Sequence, residues 1–226
     1  MFGAFPPRFA NHQHSCFVPQ VSYWDCGLAA FRSCFRAYFE TQRDLSLRGW
    51  RYFLRTVGIS WNDYGVPFPS LARIGTFFDM RPRLFLGPSY LPGIIDKRKI
   101  NLHSLNRRQH IGLREFRKSL DLARRDKIKV ICYKRQSSIR EMFKICLANC
   151  PALLIEVSCR EAYGIDFENW THYWAIIKGS NGWTWVDPYI LRGAEEFGKE
   201  IWKKYYKNIN RFDFYLWNGG FIAFSR

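Results

Sequence analysis

The stretch Val18–Phe35, VPQVSYWDCGLAAFRSCF, places Gln20 six positions before Cys26, where a proline-bearing segment gives way to an apolar run. Thiolate chemistry needs a cysteine whose charge is stabilised, a base, a group that orients the base, and donors for an oxyanion. Cys26 would open a helix, where the partial positive charge and free N–H groups favour a thiolate. Gln20 is spaced to serve as the oxyanion donor. The plainer alternative is a buried structural thiol at a helix start. No other cysteine combines a helix start with a polar companion at fixed spacing.

The base must be one of five histidines. His12 and His14 lie in the irregular N-terminus, and His103 and His110 in a basic segment. His172 opens the apolar run HYWAIIKG, where a side chain projects from a sheet edge into a cleft. Asp187 follows in WVDP, at the end of a hairpin whose length returns it beside His172 to fix the imidazole tautomer. Pro188 ends the strand behind it. Singly, each residue has a structural reading: His172 as a core histidine, Asp187 as a turn residue. The joint order Gln20, Cys26, His172, Asp187 carries the catalytic one.

The elements that must position these residues follow from periodicity. Residues 1–16 read as irregular and 17–226 as a single domain, with neither repeat nor low-complexity linker. Leu28, Phe31, Phe35 and Tyr38 recur at helical spacing after Cys26, with Asp25 as the expected N-cap. Further helices are expected at 44–56, within PSLARIGTFFDM, at 113–125, from a Ser138–Glu141 capping box to Leu147, and near 194–206. Strands are expected at 127–133, 152–157, 172–179, 183–187 and 220–224, with Asn181-Gly182 as a hairpin turn. Helices first and strands later predict an α+β fold, an N-terminal helical layer on a mainly antiparallel sheet.

Composition bounds the rest. The formal charge is +16, and twelve Lys or Arg fall between Lys97 and Lys129. This basic segment predicts an anionic partner (nucleic acid, nucleotide or acidic surface) or a solvated helix face. Seven cysteines without close CxxC pairs, no apolar leader and no membrane-length run predict a reduced, cytoplasmic protein with no transmembrane segment. Two possible metal clips, His12-His14-Cys16 and Cys146-Cys150, lack the ligands of a complete site. No cofactor is expected.

VPQVSYWDCGLAA resembles the nucleophile segment of the bacteriocin-processing, double-glycine-leader cysteine peptidases, with glutamine, five residues, then Cys-Gly. HYWAIIKG and WVDP resemble their histidine and aspartate segments. YWDCGLA is more similar still to the eukaryotic guanylyl cyclase-like family of plants and animals. GISWNDYG and the stretch from Lys127 to Val157 are similar to later blocks of that family. Thr171 stands where these families place glycine, and Ala30 where the second has a cysteine. The resemblance implies a papain-like cysteine protease fold, with Cys26, His172, Asp187 and Gln20 as catalytic residues acting on a peptide or protein substrate. It also implies an alternative, cyclic GMP production from GTP, for which the sequence offers no P-loop and no acidic metal pair. A non-catalytic basic interaction module is the third reading.

Overall fold

A computed structural model describes residues 8–9, 15–22, 25–61, 65–90, 107–158, 171–179, 182–188 and 217–226. Its helices are α1 (Cys26–Tyr38), α2 (Leu47–Thr56), α3 (Phe68–Thr76), α4 (Arg107–Arg125) and α5 (Gln136–Asn149). Its strands are β1 (Arg8–Phe9), β2 (Arg81–Leu86), β3 (Lys129–Cys132), β4 (Ala152–Ser158), β5 (Thr171–Gly179), β6 (Gly182–Val186) and β7 (Trp217–Ser225). The strands form one sheet in the order β1-β6-β5-β4-β7-β2-β3. Pairing is antiparallel from β6 through β2, while β1 on β6 and β3 on β2 are parallel. The chain is therefore α+β with a mainly antiparallel mixed sheet.

Both sheet faces are covered, because alternate residues of the strands are apolar on each side. Leu84, Ala152, Leu154, Ala175, Ile177 and Phe224 pack with residues of α1 to α4. Leu153, Ile155, Trp174, Ile176 and Phe221 pack with Ile139, Phe143 and Leu147 of α5 on the other face. The N-terminal helical layer is tied together by rings. Phe31 and Phe35 of α1 meet Trp50 of α2 edge-on, at centroid distances of 5.8 and 5.9 Å, and Phe78 lies 5.4 Å from Trp50. Such pairs contribute about 0.5–1.5 kcal/mol each beyond area burial.

Several elements differ from the sequence expectation. β2 goes unread because Pro82 and Gly87-Pro88 make the region look like a loop. Pro82 is tolerated since its ladder partner is Phe224 of β7, and pairing with β3 starts only at Arg83. β1 lies in the segment expected to be irregular, with Arg8 and Phe9 in register with Thr184 and Trp185. The Ser138–Glu141 capping box is not used. α5 begins at Gln136, and the Ser138 amide already bonds to Arg135 O at 3.2 Å, so Ser138 sits inside the helix. α2 is instead capped by Ser46, whose hydroxyl accepts from the Gly49 amide at 3.1 Å. α4 starts at Arg107, earlier than expected, and β7 begins at Trp217. β5 and β6 form the expected hairpin, closing at Gly179 opposite Gly182. The helix expected at 194–206 and Asn181 lie outside the described residues.

Candidate active site

Cys26 is the first residue of α1 and only 9% exposed. Asp25 occupies the N-cap position, as expected, but its side chain does not cap the helix. Its carboxylate turns backward and accepts the Val21 amide at 2.9 Å and the Ser22 amide at 3.0 Å. That closes the turn that follows Gln20. The reason is local: a carboxylate buried to 2% exposure needs charge-compensating donors, and two adjacent amides of a tight turn supply them. Gly27 lets this end of α1 sit close to the sheet. A Cβ there would lie 3.1 Å from both Leu71 and the Tyr173 ring.

His172 lies near the start of β5, paired with Val157 of β4. Alternation groups it with Trp174 and Ile176, which pack on the α5 side. Its ring nevertheless reaches the Cys26 thiol on α1 by a hydrogen bond. The β4–β7 register shifts between Ile155 and Val157, directly beside this pair, and such irregularities add local twist. Tyr173, the next residue, anchors the strand on the α1 side by stacking on Phe68 at 5.7 Å.

Asp187 follows β6, and its Oδ1 lies 2.8 Å from His172 Nε2. Both side chains are buried, with Asp187 at 2% exposure. With Nε2 engaged by the carboxylate, Nδ1 is the ring nitrogen left to face sulfur. Burial alone would pull the imidazole down. The Asp187 carboxylate, the Cys26 sulfur and the hydrogen bonds to both outweigh it, pushing His172 up to about 10. The arrangement therefore holds an imidazolium between two acceptors at neutral pH.

Gln20 reaches the same place through its backbone, whose amide donates to Pro188 O at 2.9 Å. Its side chain is buried, and Oε1 makes no hydrogen bond among the described residues. A buried amide with an orphaned atom is costly as structure and is common at functional sites. The structure thus brings Gln20, Cys26, His172 and Asp187 together, from a loop, a helix, a strand and a strand end.

The other candidates stand apart. His12, His14 and His103 lie outside the described residues, and so do Tyr23 and Trp24. His110 lies in α4. No group of three or more His, Cys, Asp or Glu converges among the described residues. In the basic segment, Arg114, Lys118, Arg124, Arg125, Lys127 and Lys129 are exposed. Two of them meet nearby acids, Arg114 with Glu115 at 3.7 Å and Arg124 with Asp121 at 3.5 Å. No described helix is long and apolar enough to cross a membrane. Sequence reasoning missed the role of Asp25, whose signal was a carboxylate three and four residues after two turn amides. No family model matches the chain, and neither does any curated protein or solved structure.

Proposed function

We propose that this protein is a cysteine-dependent hydrolase of papain-like fold, acting on amide bonds of peptide or protein substrates. The observation that carries the reading is His172, buried and hydrogen-bonded at once to Asp187 at 2.8 Å and to the Cys26 thiol. In this scheme Cys26 acts as a thiolate paired with the His172 imidazolium. The sulfur attacks the carbonyl carbon, and the carbonyl π pair moves to oxygen. The Gln20 side-chain NH₂ and the Cys26 backbone N–H stabilise that oxyanion. His172 then gives its proton to the departing amine as the C–N bond breaks, leaving an acyl-thioester on Cys26. A water attacks the thioester, giving its proton to His172, and the acid leaves as the C–S bond breaks. Asp187 keeps the imidazole oriented and offsets its charge throughout. The exposed cations from Arg114 to Lys129 favour substrates or partners with acidic surfaces.

Labelling with a peptide-type acyl electrophile tests the reading. Wild type should acquire one adduct, mapped to Cys26, while Cys26→Ala stays folded by circular dichroism and unlabelled. Undiminished labelling in Cys26→Ala would sink the assignment. So would metal-dependent formation of cyclic GMP from GTP that survives the substitution.

A further inference from the structure

A second sulfur cluster lies on the opposite sheet face from α1. Cys146 stands in the last turn of α5 and Cys150 follows it as C-cap, the Cys150 amide closing onto Cys146 O at 2.8 Å. One helical turn sets their Cα atoms about 6 Å apart, within the span a disulfide bridges. The Cys146 and Cys150 side chains are hydrogen-bonded to each other. From β2, Arg83 Nη2 donates to the Cys150 sulfur at 3.4 Å. Lys178 of β5 adds a second positive charge nearby, while its ammonium bonds to Ala148 O at 2.8 Å.

A guanidinium donor at 3.4 Å and a second cation beside one sulfur make an environment for a thiolate, not for an inert core thiol. The bond from Cys146, with Arg83 and Lys178, holds Cys150 below the ordinary thiol range against the burial that opposes it. The bond to Cys150, together with burial, holds Cys146 above the range. Arg83 donates to Cys150, so Cys150 is the sulfur favoured as the thiolate.

We propose that Cys146 and Cys150, with Arg83, form a dithiol site that a small hydroperoxide converts to a disulfide. The Cys150 thiolate attacks the terminal peroxide oxygen; an S–O bond forms, the O–O bond breaks, and the leaving oxyanion takes a proton from water. The Cys146 sulfur then attacks the resulting sulfenic acid. The S–S bond forms, the S–O bond breaks, and hydroxide departs with the Cys146 proton as water. Two electrons pass from the sulfurs to the peroxide, which ends as an alcohol or water. A small oxidant fits because both cysteines are only 1% exposed, beneath the exposed Lys178.

The site is independent of the reading of Cys26, so the test uses full-length Cys26→Ala protein. Limiting hydrogen peroxide is added and thiols are mapped by alkylation and mass spectrometry. The expected result is loss of two hydrogens at the Cys146–Cys150 pair ahead of the better exposed Cys16 and Cys132. In Cys146→Ser, dimedone should trap a sulfenic acid on Cys150. In Arg83→Met, disulfide formation should slow about tenfold. Oxidation of Cys16 or Cys132 with the pair left reduced would overturn the proposal. Oxidation of Cys150 to sulfinic acid while Cys146 stays reduced would do the same.

Discussion

The Gln20 amide donates to the Pro188 carbonyl at 2.9 Å, one residue beyond Asp187. A single backbone bond thereby ties the segment leading into α1 to the strand end that carries the aspartate. The two halves of the candidate site are about 150 residues apart in sequence, and this bond sets their separation independently of any side chain.

The His172 charge should be visible in stability against pH. Its folded-state value is about 10, raised from an ordinary 6.5. Below pH 6.5 the ring is protonated in both folded and unfolded chains, so its full stabilising contribution is present. As pH rises the unfolded chain loses its proton first, and the contribution is gone above about 10. Urea midpoints should therefore fall across that window, and His172→Gln should flatten the slope. Cys26→Ala removes one of the raising interactions, so the upper edge should move to lower pH. In the wild-type protein, the alkaline limb of kcat/KM for the proposed hydrolysis should fall at that same upper edge, where His172 loses its proton. A midpoint that rises over the same window would contradict the imidazolium.

Asp25 should behave as a positioning residue for Gln20. Asp25→Ala strips the Val21 and Ser22 amides of their acceptors, at a cost of about 1–3 kcal/mol in stability. Asp25→Asn keeps one acceptor oxygen and should recover part of that loss. Gln20→Ala should lower kcat by about 10²–10³, the usual cost of an oxyanion donor, with little change in KM. Once Gln20 is removed, adding Asp25→Ala should lower kcat little further, because both act through one donor. Full additivity of the two effects on kcat would place Asp25 outside this chain of contacts.

Gly220 marks a close approach that supports the site from behind. A Cβ there would stand 2.7 Å from the Tyr90 ring. Tyr90 itself is stacked between Phe68 at 6.2 Å and Phe116 at 5.5 Å, and Phe68 carries the Tyr173 ring beside His172. The ring cannot yield without disturbing the stack, so Gly220→Ala should cost about 1–3 kcal/mol in thermal or urea unfolding. Truncating Tyr90 to Ala in the same chain should relieve the clash and make the two changes non-additive. A neutral Gly220→Ala would show that the stack adapts.

By itself the sequence determined the inventory and most of the local structure. Leu28, Phe31 and Phe35 announced α1 because a buried helix face must repeat at its own period. The runs at 152–157 and 172–179 announced strands because a sheet covered on both faces needs continuous apolar residues. Cys26, Gln20, His172 and Asp187 were legible as chemical candidates from residue type and element ends. What lay beyond local pattern was decided only by tertiary structure. Pro82 could join β2 because its strand neighbours spare the missing donor. Ser138 lost its capping role because α5 begins two residues earlier. Asp25 turned backward because buried carboxylates go where donors are nearest. Above all, strand alternation assigns His172 to the α5 face, yet its ring meets Cys26 on α1. Alternation is a property of one strand, whereas the twist beside the register shift and the docking of α1 over Gly27 belong to the packed whole.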